Sequence, residues 1–77
     1  MASITIETTP EERYAVLQVI KEIDGQVTPV SKIAEKAGLN QTRARYVIMD
    51  LMEQSKIARV PHRAFNKHYV RYSYKIL

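Results

Sequence analysis

Residues 29–49 read PVSKIAEKAGLNQTRARYVIM, and the spacing of small and apolar side chains within them decides how the rest of the chain is arranged. Ile33, Ala34 and Ala37 recur at helical intervals, Gly38 takes a left-handed backbone without a Cβ penalty, and Asn40 is a natural cap for a helix beginning at Gln41. Two short helices about a tight turn are a helix-turn-helix signature. A small side chain at Ala34 allows a close crossing, Gly38 makes the corner, and Leu39, Ala44 and Val47 lock the pair together. At about 100° per residue, Ala44, Val47, Ile48 and Leu51 form one stripe of the second helix, so Thr42, Arg45, Tyr46 and Met49 face the other way.

That outer face offers chemistry suited to base edges. Asn40 and Gln41 at its leading end, with Thr42 and Arg45 behind them, supply the donors and acceptors that a major groove can pair with. The six side chains Asn40, Gln41, Thr42, Arg45, Tyr46 and Met49 are the candidate base-facing set. Tyr46 either contacts a thymine methyl or phosphate, or covers the junction with the preceding helix. A solvated face on a purely structural helix has the same composition, so the surrounding charge matters.

The net charge of +4 divides unevenly. Residues 1–27 hold two basic and five acidic side chains, net −3, whereas residues 28–77 hold ten basic and three acidic, net +7. One part of the molecule is electropositive, as expected of a surface that meets a polyanion. Lys32, Lys36 and Arg43 in the helix-turn-helix, and Arg63 and Lys67 further on, are the candidate phosphate contacts. The 77 residues make one small domain with a small core and no room for an elaborate enzyme pocket. With no cysteine there is neither a disulfide framework nor a thiolate site. The absence of an apolar run of spanning length, and of a basic leader at MASITIETTPEER, sets the expectation of a cytoplasmic protein that does not engage a membrane.

Upstream, Ser3 to Glu7 alternate, with Ile4 and Ile6 on one side, as a short edge strand, a packed arm or a frayed end. TTPEE then starts the first helix: Thr9 caps, Pro10 takes the first helical position, and Glu12 stands at capping-box spacing. Residues 1–8 are therefore expected to be an arm and residues 9–77 the domain. Val16, Leu17, Ile20 and Ile23 give this helix a core stripe, and Gly25 stops it. Gln26 and Val27 leave room for a very short strand before Thr28-Pro29 starts the next helix, which runs to about Ala37.

The recognition-type helix is expected from Gln41 to about Ser55. After it the period changes from helix to strand: in YVRYSYKIL (69–77), Val70, Tyr72, Tyr74 and Ile76 fall on one side, with Tyr69, Arg71, Ser73 and Lys75 on the other. A partner strand at Ile57–Val60 completes a hairpin whose connection, about Pro61 to His68, carries His62, Arg63, Lys67 and His68. Phe65 in that loop is either a contact to sugar or base or a plug folded back on the domain. Three helices, a tiny strand between the first two and a basic hairpin at the end make an α+β winged helix-turn-helix, the wing being placed to reach flanking phosphates or the minor groove.

The run TRARYVIMDLMEQSKIARVPHRAF, followed by HYVRYSY, resembles the FaeA-like, or PapI-like, regulators of bacterial fimbrial operons across about residues 29–76. The triplet Ala44-Arg45-Tyr46, the wing entry Arg59-Val60-Pro61-His62-Arg63 and the aromatic strand Tyr69 to Tyr74 carry the likeness. It implies a winged-helix regulator that binds double-stranded DNA at a pilus promoter together with the leucine-responsive global regulator, at sites subject to adenine methylation. A weaker likeness, to a eukaryotic small-subunit ribosomal protein with a VTP start and a basic hairpin, lacks that protein's long basic extension.

Other classes have less to stand on. Asp50 and Glu53 sit three apart on a helix, but no base, nucleophile or phosphate loop accompanies them, so the chain does not read as an enzyme. His62 and His68 lack the further ligands of a metal centre, and nothing in the sequence asks for a cofactor. Met52 is expected in the core. The competing readings are an RNA-binding winged helix and one that binds only protein. A lone recognition helix is also expected to need help, either a homodimer or a larger co-regulator, with Ile4, Ile6 and the acidic first helix as the protein-facing surface.

Overall fold

The computed structural model describes residues 7–63 and 70–77. The expected start signal forms in full: α1 (Pro10–Ile23) is capped by Thr9, whose hydroxyl accepts from the Glu12 N–H while the Glu12 carboxylate accepts from the Thr9 N–H. The chain leaves α1 through Asp24 and Gly25, both at positive φ, so the left-handed turn begins one residue before the glycine. Val27 then makes a single antiparallel bridge to Ser73.

α2 (Val30–Ala37) starts differently from the sequence reading. Pro29, with no side-chain bond, occupies the cap position. Thr28 is instead buried, its hydroxyl donating to the Gln26 carbonyl and its N–H to the Tyr72 carbonyl. The second bond ties the tiny strand to the hairpin, and the first closes on the segment itself, so neither serves the helix. Gly38, at φ 73°, ends α2 and makes the corner, and Asn40 caps α3 (Gln41–Glu53) by accepting from the Arg43 N–H. α3 stops two residues earlier than its polar exit suggested. Ser55 enters the left-handed region at φ 57°, and the Lys56 N–H returns to the Leu51 carbonyl, closing the last turn.

The hairpin is β1 (Ile57–Arg63) and β2 (Val70–Ile76), antiparallel and in register from Ile57 opposite Ile76 to Arg63 opposite Val70. β1 is three residues longer than the Ile57–Val60 expected, so Pro61, His62 and Arg63 belong to the strand. Proline is tolerated there because β1, paired only with β2 among the described residues, is an edge strand. The remaining connection, with Lys67, Phe65 and His68, lies outside the described residues, as do Ile4 and Ile6.

Alternation along β2 holds only in part. Tyr74 is buried and Tyr72 half-buried on the inner face, but Ser73 on the opposite face is buried too. The Val27 bridge lies against it, and the His62 ring Nε2 meets its hydroxyl at 2.8 Å. Val70 and Ile76, on the inner side by period, are exposed at the two strand ends.

The core collects Val16 and Ile20 from α1, Ile33 from α2, Val47 and Leu51 from α3, and Ile57 and Tyr74 from the hairpin. Leu17, expected in the α1 stripe, and Met52 pack against its edge, while Val19 takes a fully inner place. Each wholly buried Ile or Leu side chain contributes roughly 1.5–3 kcal/mol. Ala34 and Ala44 are both buried, and side chains this small leave room for α2 and α3 to cross closely. Three helices followed by an antiparallel hairpin form the winged-helix arrangement. Among the described residues no helix is long and apolar enough to cross a membrane.

Candidate nucleic-acid interface

Burying Ala44, Val47, Ile48 and Leu51 fixes the rotation of α3 about its axis and so decides what it shows to solvent. Thr42, Arg45 and Met49 stand exposed on the far side, Met49 with 54% of its surface free. Asn40 and Gln41 are exposed at the leading end, and Tyr46 is half-buried. The structure thus brings the six base-facing candidates onto one face and end of α3. Two qualifications come from geometry. Asn40 engages its Oδ1 in the cap, accepting from the Arg43 N–H at 2.8 Å, and its amide NH₂ is the group left wholly free for a base or phosphate. Glu53, at the far end of the same helix, is exposed and acidic, which confines an anion-compatible surface to the first three turns.

The phosphate candidates do not share one fate. Lys32 and Lys36 are exposed on the outer side of α2, Lys32 with only a loose 4.0 Å pairing to Glu35. An exposed pair of that kind leaves the ammonium available. Arg63 ends β1 opposite Val70, and Lys67 falls outside the described residues.

Arg43 behaves otherwise. Its guanidinium grips the Glu12 carboxylate with two bonds, Nε to Oε2 at 2.9 Å and Nη2 to Oε1 at 2.5 Å, and Nη2 also donates to the Glu7 carbonyl at 3.0 Å. Its Nε and Nη2 are thus committed within the molecule, whereas Nη1 makes no bond among the described residues. The bidentate contact holds the Glu12 carboxyl down to about 2, the Thr9 N–H assisting, and the same contact pushes the Arg43 guanidinium above its already high value.

Side chains outside the candidate contact set also bear on the site. Arg59 stacks on the Tyr72 ring with its guanidinium carbon 4.3 Å from the centroid, a diagonal contact on the inner face of the hairpin. Burial pushes the Tyr74 phenol up, with Arg59 opposing that shift. Arg71 is exposed on the opposite face, across from His62. The alternation of YVRYSYKIL already put Tyr72 on the face of Tyr74. Placing Arg59 over it required the register, which no spacing within either strand reveals.

A family model described as FaeA-like protein matches residues 13–69. The chain belongs to the FaeA-like family. The match runs from the second turn of α1 through the connection of the wing, so it takes in the whole helix-turn-helix. The FaeA-like family is a regulatory one and not an enzymatic one, and membership implies DNA binding. No curated protein matches the chain.

Proposed function

We propose that this FaeA-like chain is a sequence-specific regulator of a bacterial fimbrial operon, with residues 9–77 as the DNA-binding domain and residues 1–8 as an arm. α3 enters the major groove. Gln41, Thr42, Arg45 and Met49 face base edges, Asn40 contributes its amide NH₂, and Tyr46 reaches the groove wall. Lys32 and Lys36 on α2, and Arg63 and Lys67 of the wing, meet phosphates. The observation that carries this reading is the pairing of a buried stripe on α3 with an exposed, polar and cationic face opposite it. The excess of positive charge after residue 27 supports it.

A module of this size covers roughly 600–1,000 Å² of its own surface on DNA, too little for high specificity alone. It therefore works as a homodimer or beside a larger DNA-binding protein such as the leucine-responsive global regulator. Nanomolar sequence-specific binding by a proven monomer without any partner would count against this.

The deciding experiment is a titration of the chain against duplex DNA, single-stranded RNA and duplex RNA at the same salt. If about four phosphates are neutralised, log K for duplex DNA falls with log[salt] at a slope on the order of −3.6. Preference for RNA turns the assignment to an RNA-binding winged helix, since the A-form major groove does not admit a helix. A slope near zero with all three ligands leaves a protein-binding module.

A further inference from the structure

Glu12 and Arg13 are neighbours in sequence and opposite in charge, and they reach two residues of α3 that are seven positions apart and also opposite in charge. Glu12 takes the Arg43 guanidinium in the fork described above. Arg13 stands 3.6 Å from Asp50 Oδ2. Thr8 fills the space between, its hydroxyl donating to Asp50 Oδ2 while its carbonyl and hydroxyl oxygens accept from Arg13 Nη1 at 2.7 and 2.8 Å. All four charged side chains are at most about one-third exposed, so solvent screens these pairs less than an ordinary surface bridge.

We propose that this four-residue clamp positions α3 for reading DNA, and that Arg43 is a positioning residue and not a phosphate contact. The proposal rests on the DNA-binding reading above. Seven positions are about two turns, or about 10.5 Å along the helix, so the clamp holds α3 at two points and resists both rotation and tilt. Its charge order allows one register only. Exchanging partners sets Glu12 against Asp50 and Arg13 against Arg43, like against like.

The first contact is also linked to both helix starts. Glu12 is the capping-box residue of α1, and the Arg43 N–H is the group that Asn40 caps on α3. Offering Arg43 to a phosphate would trade one anion for another, leave the Glu12 carboxylate uncompensated near the DNA, and disturb the box. A cation held this way serves better as a strut.

The test compares Glu12→Gln, Arg43→Gln and the double variant on cognate and scrambled duplexes over a range of salt, well below the unfolding temperature of each. Gln keeps the capping-box bond at position 12, so that variant removes the charge pairing without removing the cap. Each single variant is expected to weaken cognate binding about three- to thirtyfold and the double variant no more than either, as for residues acting through one contact. Scrambled-duplex affinity and salt slope should stay as in wild type. A phosphate-contacting Arg43 gives the opposite pattern: Arg43→Gln lowers the slope by about 0.9 on both duplexes, and Glu12→Gln tightens binding. Amide hydrogen exchange at Arg43 and Ala44 provides a readout that needs no DNA. Faster exchange in both single variants supports the clamp even if wild type binds no duplex, which would remove the DNA reading alone, and unchanged exchange overturns the clamp.

Discussion

Arg43 and Arg45 are the same residue two positions apart on one helix, and the fold gives them different surroundings. The two positions differ by about 160° of rotation around α3. Arg43 is turned toward α1, where Glu12 and the Glu7 carbonyl accept from its Nε and Nη2. Arg45 is turned to solvent and, among the described residues, makes no ion pair. A count of basic residues treats them alike. In the reading proposed above, what separates a DNA-reading arginine from a bracing one is the side of the helix that the core leaves free.

The contrast depends most on Ala44, which lies between the two arginines and is wholly buried. Ala44→Leu forces extra volume into the α2–α3 crossing, and overpacking of this kind costs about 1–3 kcal/mol. The expected outcome is a lower urea midpoint together with loss of duplex discrimination. An unchanged midpoint would mean that α3 is not held at this crossing.

Next in size is the cap. Asn40→Ala removes the acceptor for the Arg43 N–H and should cost about 1 kcal/mol. Asn40→Asp, which keeps a cap oxygen, should restore stability yet bind every duplex more weakly, because it brings an anion to the leading end of α3. Equal DNA binding by the Asp variant and wild type would remove Asn40 from the interface.

The wing sharpens the comparison from outside the helix. Arg63→Ala or Lys67→Ala should weaken cognate and scrambled duplexes about equally and reduce the salt slope by about 1. Loss of discrimination in these variants, with Arg45→Ala affecting both duplexes alike, would transfer sequence reading from α3 to the wing.

A smaller effect concerns acid. The folded Glu12 carboxyl is held down to about 2, below its usual value of 4.5. Its contribution to stability is therefore full above the unfolded value and is lost as pH falls from about 4.5 through about 2. Glu12→Gln should flatten that part of the acid-unfolding profile and leave the neutral-to-alkaline limb parallel to wild type. The smallest effect is Lys32→Ala, whose loose pair with Glu35 should be worth no more than a few tenths of a kcal/mol to folding. Its measurable consequence should lie in duplex affinity.

Most of the fold was legible because its punctuation is local. Thr9, Pro10 and Glu12 carry a capping box within four residues, Gly38 supplies its own turn, and Asn40 caps the helix that follows it. The change from helical to strand period after α3 needed only the alternation of Tyr72, Tyr74 and their neighbours. The exposed face of α3 followed from the same periodicity.

What was not legible depends on partners distant in sequence. The pairing of Arg43 with Glu12 could not be read from spacing because the two lie 31 residues apart on different helices, and Glu12 had already been accounted for as a cap. Ser73 read as an outward residue because the Val27 bridge and the His62 ring that cover it come from two other segments. The length of β1 was underestimated at Pro61, where an edge strand tolerates the residue that usually ends one.

The most direct test of the central claim is the affinity of Arg45→Ala for a cognate duplex, obtained by selection from a random pool, relative to a scrambled one. A guanidinium that pairs bidentately with a guanine edge is worth about 1–3 kcal/mol. Cognate binding should therefore weaken by roughly five- to 150-fold, with a much smaller loss on the scrambled duplex. Equal weakening of both duplexes would show that Arg45 serves only as a positive charge, and the free face of α3 would then not be what reads the DNA.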